Sequence, residues 1–183
     1  MAETSQMMPL RTLAPDFALP DLDGTTVARD DLAGAPALLV AFLCNHCPYV
    51  RHIERELAAA AEQWQRDGAA VVGICSNDAA SYPDDAPEGL AAQARRAGFT
   101  FPYLIDASQD VARAYRAACT PDFFLFDRGR ALAYRGAFDA STPGNRVPVT
   151  GDELRDAVAR VLVGQPVPEP HRPSMGCSIK WKR

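Results

Sequence analysis

Ala37-Leu38-Leu39-Val40-Ala41-Phe42-Leu43-Cys44-Asn45-His46-Cys47-Pro48 is an apolar run that ends in two cysteines three residues apart. Seven apolar residues are too few to cross a bilayer and read as a buried parallel strand. Val50, Ile53, Leu57, Ala60 and Trp64 follow at helical spacing, which predicts a helix from about Cys47 to Arg66 and puts the dithiol at a strand-to-helix junction. There, unpaired backbone N–H groups and the positive end of the helix dipole favour thiolate, the species that attacks a disulfide. This reading makes Cys44 the exposed nucleophile at the helix N-terminus. Cys47, one turn on, is the thiol that closes the bond.

Outward from the dithiol, strands and helices alternate, which implies parallel pairing. Ala14–Pro20 and Asp21–Val27 read as an N-terminal hairpin around an Asp-Gly turn. Gly68 stops the first long helix, and Ala70–Cys75 is a second buried strand. Asp85-Ala86-Pro87-Glu88 has a capping-box pattern that opens a helix through Leu90, Ala94 and Ala97, ended by Gly98. Phe99–Ile105 is a further strand, and Asp106 with Gln109 caps a short helix. Pro121–Phe126 and Ala131–Arg135 form an antiparallel hairpin, and Thr150-Gly151-Asp152-Glu153 opens a last helix with Leu154, Val158 and Val161 inward. From Gly164 the chain is Pro-rich and reads as a surface tail over 164–183.

The 183 residues, 48% of them hydrophobic, suffice for one core, and no linker divides them; a single domain over 1–183 is expected. The net charge of −4, with dispersed Lys and Arg, offers no basic face for nucleic acid. Met1–Arg11 lacks a continuous hydrophobic region, so neither signal peptide nor membrane anchor is expected, and the location expected is cytoplasmic. Five cysteines in such a chain do not resemble the disulfide framework of a small secreted domain.

Three motifs, Cys44-Asn45-His46-Cys47-Pro48-Tyr49, Cys119-Thr120-Pro121-Asp122-Phe123 and Gly176-Cys177-Ser178-Ile179-Lys180-Trp181, together with Ala14-Pro15-Asp16-Phe17, give the chain its family likeness. It resembles the thioredoxin-like redoxins of the AhpC/TSA, peroxiredoxin-like type over nearly its whole length. The resemblance implies an α/β thioredoxin-like fold: a central mixed sheet flanked by helices, with an N-terminal β-hairpin and a C-terminal tail. It also implies a cis Thr120-Pro121 bond beside the dithiol, leaving a backbone segment free to pair with a substrate chain. The chain departs from thioredoxins proper, with Leu43 where they have Trp, Asn45-His46 where they have Gly-Pro, and Leu38 where they keep a buried Asp. It also lacks the Pro-x-x-x-Thr/Ser-x-x-Cys pattern of peroxiredoxins before either cysteine.

Around the catalytic pair Cys44 and Cys47, His46 is read as stabilising the Cys44 thiolate, or else as a solvent-exposed histidine at the helix start. Arg51 either adds positive potential or lies on a solvated face. Thr120 and Pro121 support the site. Cys119 and Cys177 are each either additional redox thiols or incidental, Cys75 reads as core, and Asn77-Asp78 lies where α/β sheets place site residues. Cys44, His46 and Cys47 offer metal donors, but no second Cys-x-x-Cys or paired histidines complete a four-ligand set, so no metal and no cofactor is expected. The sequence thus points to a thiol-disulfide oxidoreductase acting on protein or small thiol and disulfide partners. The rivals are a thiol peroxidase with an antioxidant role and a metal-binding or redox-sensing module.

Overall fold

A computed structural model describes residues 2–182. The apolar run forms β4 (Leu38–Phe42), whose residues alternate between two cores: Leu39 and Ala41 face one, Leu38, Val40 and Phe42 the other. Burial on both faces explains the unbroken apolar sequence. After β1 (Ala2–Thr4), β2 (Ala18–Pro20) and β3 (Thr26–Ala28), β4 leads into α1 (Pro48–Arg66) and β5 (Ala70–Cys75). Then come α2 (Pro87–Ala97), β6 (Tyr103–Ile105), α3 (Asp110–Ala114), β7 (Cys119–Thr120) and β8 (Asp122–Phe126). The chain closes with β9 (Leu132–Gly136), α4 (Asp152–Leu162) and β10 (Met175–Ser178).

The central sheet is mixed, in the order β6-β5-β4-β8-β9, with β4 parallel to β5 and antiparallel to β8. The apolar faces of α1, α2 and α4 cover one side through Val50, Leu57, Leu90, Leu154 and Val158. On the other side α3 and the N-terminal segment pack Val111, Tyr115, Met8 and Phe17 against Phe42, Phe124 and Phe126. Burying each such aromatic or aliphatic side chain contributes about 1.5–3 kcal/mol. The hairpin β2–β3 forms as expected, antiparallel. Among the described residues, no helix is long and apolar enough to cross a membrane.

Several local expectations fail for physical reasons. α2 has Ala86 at its N-cap and no side-chain cap, because Asp85 is recruited elsewhere. α4 has Gly151 at its N-cap, in a left-handed conformation (φ 66°) and with no side-chain cap, while Asp139 accepts the N–H groups of Thr150 and Gly151 just ahead of the helix. Only Tyr103–Ile105 of the expected strand 99–105 pairs, since Phe99 and Phe101 stack on each other instead. The Pro-rich segment is not simply a surface tail. Its β10 is the middle strand of a second sheet, β1-β10-β7, with Cys177 opposite Thr120 and Ser178 opposite Cys119.

Candidate active site

Sheet register builds the site. Phe42 lies opposite Asp122 in the antiparallel β4–β8 pair, so Cys44, two residues past Phe42, meets Thr120, two residues before Asp122. The Thr120-Pro121 bond is cis, as the resemblance implied. Thr120 touches both thiols: its hydroxyl lies 3.1 Å from Cys44 Sγ, and its carbonyl 3.1 Å from Cys47 Sγ, accepting the Cys47 proton when the thiol is intact.

The helix start puts Cys47, rather than Cys44, at the helix N-terminus. α1 begins at Pro48, so Cys47 is its N-cap and Cys44 precedes it by a full turn of loop. Neither is exposed. Contact with Cys44 lowers the Cys47 pKa to about 5 against the opposing effect of burial. Contact with Cys47, burial and the Asp85 charge push the Cys44 thiol well above its ordinary value.

His46 does not serve the Cys44 thiolate as a free cation. Its Nδ1 lies 2.6 Å from Asp85 Oδ2, and its ring stacks on Tyr82 at 5.2 Å between centroids. Asp85 Oδ1 accepts the backbone N–H groups of Asn45 and His46, and Oδ2 also accepts Asn77 Nδ2. Burial pushes the Asp85 carboxyl up, but the His46 and Asn77 hydrogen bonds hold it below the ordinary value. The donor atoms of Cys44, His46 and Asp85 lie within 4.8 Å of one another, a potential three-ligand metal cluster that sequence reading left incomplete. With four donors already on the Asp85 carboxylate, all its lone-pair directions are in use, and the cluster is explained as a hydrogen-bonded loop clamp.

Arg51 neither faces the dithiol nor is idle: its Nε donates to the Asn45 carbonyl and ties the loop to α1. Sequence reading missed Gln93 and Tyr103. Gln93, fully buried on α2, donates to the Cys44 carbonyl and accepts the Tyr103 hydroxyl. Its signal was a polar residue amid the apolar positions Leu90, Ala94 and Ala97. Asn45 is held by the Asp84 and Gly89 carbonyls and by Arg96, which pairs with Glu54.

Of the other thiols, Cys75 is buried and pushed up to about 12 by desolvation, consistent with a core residue. Cys119 is buried and pushed up further by the same cause, and it lies on the opposite face of β7 from Thr120, away from the dithiol. Cys177 faces the dithiol beside Thr120 and alone reaches solvent. Asn77 joins the two parts of the site, holding Asp85 through Nδ2 and the Lys180 N–H through Oδ1.

A central mixed sheet flanked by helices, carrying a dithiol at the start of the first long helix, defines the thioredoxin-like class. The chain belongs to the AhpC/TSA family, whose model matches residues 10–135. An uncharacterized conserved protein from Geobacillus kaustophilus is 48% identical, with TM-score 0.96, covering 100% of this chain and 97% of its own. At fold level only, the thioredoxin domain of a thiol-disulfide oxidoreductase from Bacteroides vulgatus is 17% identical (TM-score 0.63; 82% of this chain, 99% of that one). A peroxidoxin from Mycobacterium tuberculosis is 18% identical (TM-score 0.63; 83% and 97%). No curated protein matches the chain.

Proposed function

We propose that the protein is a thiol-disulfide oxidoreductase working through a Cys44–Cys47 dithiol and disulfide. The observation that carries this is the meeting of both sulfurs at Thr120, whose hydroxyl lies 3.1 Å from Cys44 Sγ and whose carbonyl lies 3.1 Å from Cys47 Sγ, at the head of α1. A thiolate so held attacks a disulfide sulfur, and Cys44 then attacks Cys47 Sγ, releases the second partner thiolate and closes the Cys44–Cys47 bond. Thr120, whose hydroxyl and carbonyl meet both sulfurs, and Gln93, which fixes the Cys44 carbonyl, keep the pair in reach of each other. The membrane plays no part in this reading, and partners are thiols and disulfides in a cytoplasmic setting.

The test is reduction of a model protein disulfide with dithiothreitol as electron donor, with disulfide mapping of the oxidised enzyme. Wild type should turn over and show the Cys44–Cys47 bond, and Cys47→Ser should lose at least 100-fold. Retention of activity by Cys47→Ser, or an oxidised wild type without that bond, would overturn the reading.

A thiol peroxidase is the second reading, supported by the family and by the lowered pKa of Cys47 at a helix start. In it peroxide oxidises Cys47 to a sulfenic acid, releasing water, and Cys44 condenses with it. Peroxide consumption faster than disulfide reduction would favour it.

A further inference from the structure

The dithiol is sealed on the side where a partner chain would pair. β10 occupies the open edge of β7, antiparallel, so the segment beside Pro121 is already matched with strand from this same chain. The seal is close-fitting: a Cβ at Gly176 would overlap the Thr120 carbonyl. Because Cys177 is the register partner of Thr120, its side chain lies on the face of the small sheet that carries the Thr120 hydroxyl and the dithiol. Cys177 packs against the buried cluster that holds Cys44 and Cys47. Of the five cysteines, it alone is not buried. The buried pair thus has one thiol between it and solvent.

We propose that Cys177 is a third redox thiol, the port through which Cys47 exchanges with an outside disulfide by way of a Cys47–Cys177 bond. This rests on the reading of Cys44 and Cys47 as the working pair. With a partner R–S–S–R, the Cys177 thiol gives up its proton and its sulfur attacks one partner sulfur, the partner bond breaks, and R–S⁻ leaves and takes that proton. The Cys47 thiolate then attacks Cys177 Sγ, forming Cys47–Cys177 and expelling the second R–S⁻, which also takes a proton. Cys44 gives up its proton and attacks Cys47 Sγ, forming Cys44–Cys47 and returning Cys177 to a thiol. Two electrons have passed from the dithiol to the partner, with one proton supplied by Cys44 by way of Cys177 and one by solvent, and Cys177 ends as the thiol it began as.

A cleft of about 390 Å³ beside the port is lined by Tyr49, Pro121, Ser141 and Met175. Met175 is two residues from Cys177 on the same strand face, and His52 Nε2 and Ser141 Oγ, which have no hydrogen-bond partner, line the same space. A partner chain seated there would meet Cys177 before it could reach Cys47.

The experiment follows thiol oxidation by oxidised glutathione with mass-spectrometric mapping. In Cys44→Ser, with no Cys44 to finish the exchange, the expected end state is an intramolecular Cys47–Cys177 disulfide. A cysteine held beside Cys47 outcompetes millimolar glutathione by effective concentration. In Cys177→Ser the Cys44–Cys47 bond should still form, at least tenfold more slowly. Should that variant fold poorly, brief alkylation of native reduced wild type serves instead, expected to label Cys177 first and slow dithiol oxidation to the same degree. Glutathione left on Cys47 with Cys177 free in Cys44→Ser, or dithiol oxidation at the wild-type rate once Cys177 is replaced or alkylated, would each overturn the port. An oxidised wild type lacking the Cys44–Cys47 bond would instead overturn the underlying function.

Discussion

The five-stranded sheet and the small β1-β10-β7 sheet meet at Thr120-Pro121 but are held by different forces. The large sheet is a sandwich of apolar residues, with Phe42, Phe124 and Tyr115 in tilted and edge-on contact between its layers. The small sheet, made of strands of two to four residues from both ends of the chain, leans on polar groups. Ser5 N–H donates to the Ser174 carbonyl, the Ser174 hydroxyl donates to the Gly136 carbonyl, and Asn77 and Gln109 hold the chain after β10. The reactive thiols lie between the two. Cys44 and Cys47 are fixed by the rigid sheet and its first helix, whereas Cys177 belongs to the element that can open at least cost.

The largest expected effect breaks the rigid side. Phe124→Ala removes a buried aromatic at the centre of the contacts with Phe42 and Tyr115, and should lower stability in urea by about 3–5 kcal/mol. Gly176→Ala, which drives a methyl into the Thr120 carbonyl, should instead expose residues 174–182 to proteolysis while the unfolding midpoint of the core changes far less. Equal losses of global stability in the two variants would mean that the sheets form one cooperative unit and that the contrast is wrong.

Next in size is a buried acid at the junction of the two sheets. Asp122 is fully buried, and desolvation outweighs the hydrogen bonding that favours its anion, such as that of the Ala118 N–H, to push it up to about 7. Its pKa is raised on folding, so the stability it contributes is complete below the unfolded value near 4 and is lost as pH rises through about 7. The span is about 4 kcal/mol at most. Asp122→Asn, neutral at all these pH values, should flatten that part of the urea-stability profile between pH 4.5 and 7.5. Parallel profiles for wild type and variant would show that the carboxyl does not titrate in the folded protein.

The junction itself should titrate in a defined order. In the reduced protein, thiolate absorbance near 240 nm is expected to rise around pH 5 in wild type and not in Cys47→Ser. Cys44→Ala removes the contact that most lowers the Cys47 pKa. A hydrogen bond to a charged group is worth about 1.5–3 kcal/mol, so the midpoint should climb by about one to two units. A wild-type titration that vanishes in Cys44→Ser and survives in Cys47→Ser would restore the order of attack expected from the sequence.

The helix N-terminus marks where the sequence stops being legible. β4, α1, β5 and the β8–β9 hairpin were readable because apolar periodicity encodes burial residue by residue. Which of two cysteines three residues apart sits at the N-cap depends on the helix start, and periodicity does not resolve helix ends that finely. Asp85 fitted a capping box perfectly well, yet the tertiary fold offers it four donors from Asn45, His46 and Asn77 instead of one helix end. Gln93 was a lone polar residue in an apolar stripe, a signal without a partner until α2 lay beside the dithiol. Gly176-Cys177-Ser178 carries almost no local strand signal, and only pairing with β1 and β7, far away in sequence, makes it β10.

The smallest effect concerns the last residues that hold β10 in register. Arg113 stacks over the Trp181 ring at 4.4 Å from its centroid, and just before it Ile179 and Lys180 N–H groups bond the Ala118 carbonyl and Asn77 Oδ1. A cation over a partly exposed indole contributes about 0.5–1 kcal/mol. The local opening of this segment is governed by such contacts rather than by the core. Trp181→Ala should therefore speed amide hydrogen exchange at Ile179 and Lys180 by about two- to fivefold, with β4 and β8 amides unaffected. Because Asn77 also holds Asp85, a looser Lys180 should leave the Asp85–His46 clamp in place only if Asn77 keeps its second bond. Exchange at the Asn45 and His46 amides reports this directly. Acceleration there in step with Ile179 would show that the tail and the dithiol loop open together, so that the two regions contrasted above share one opening motion at their junction.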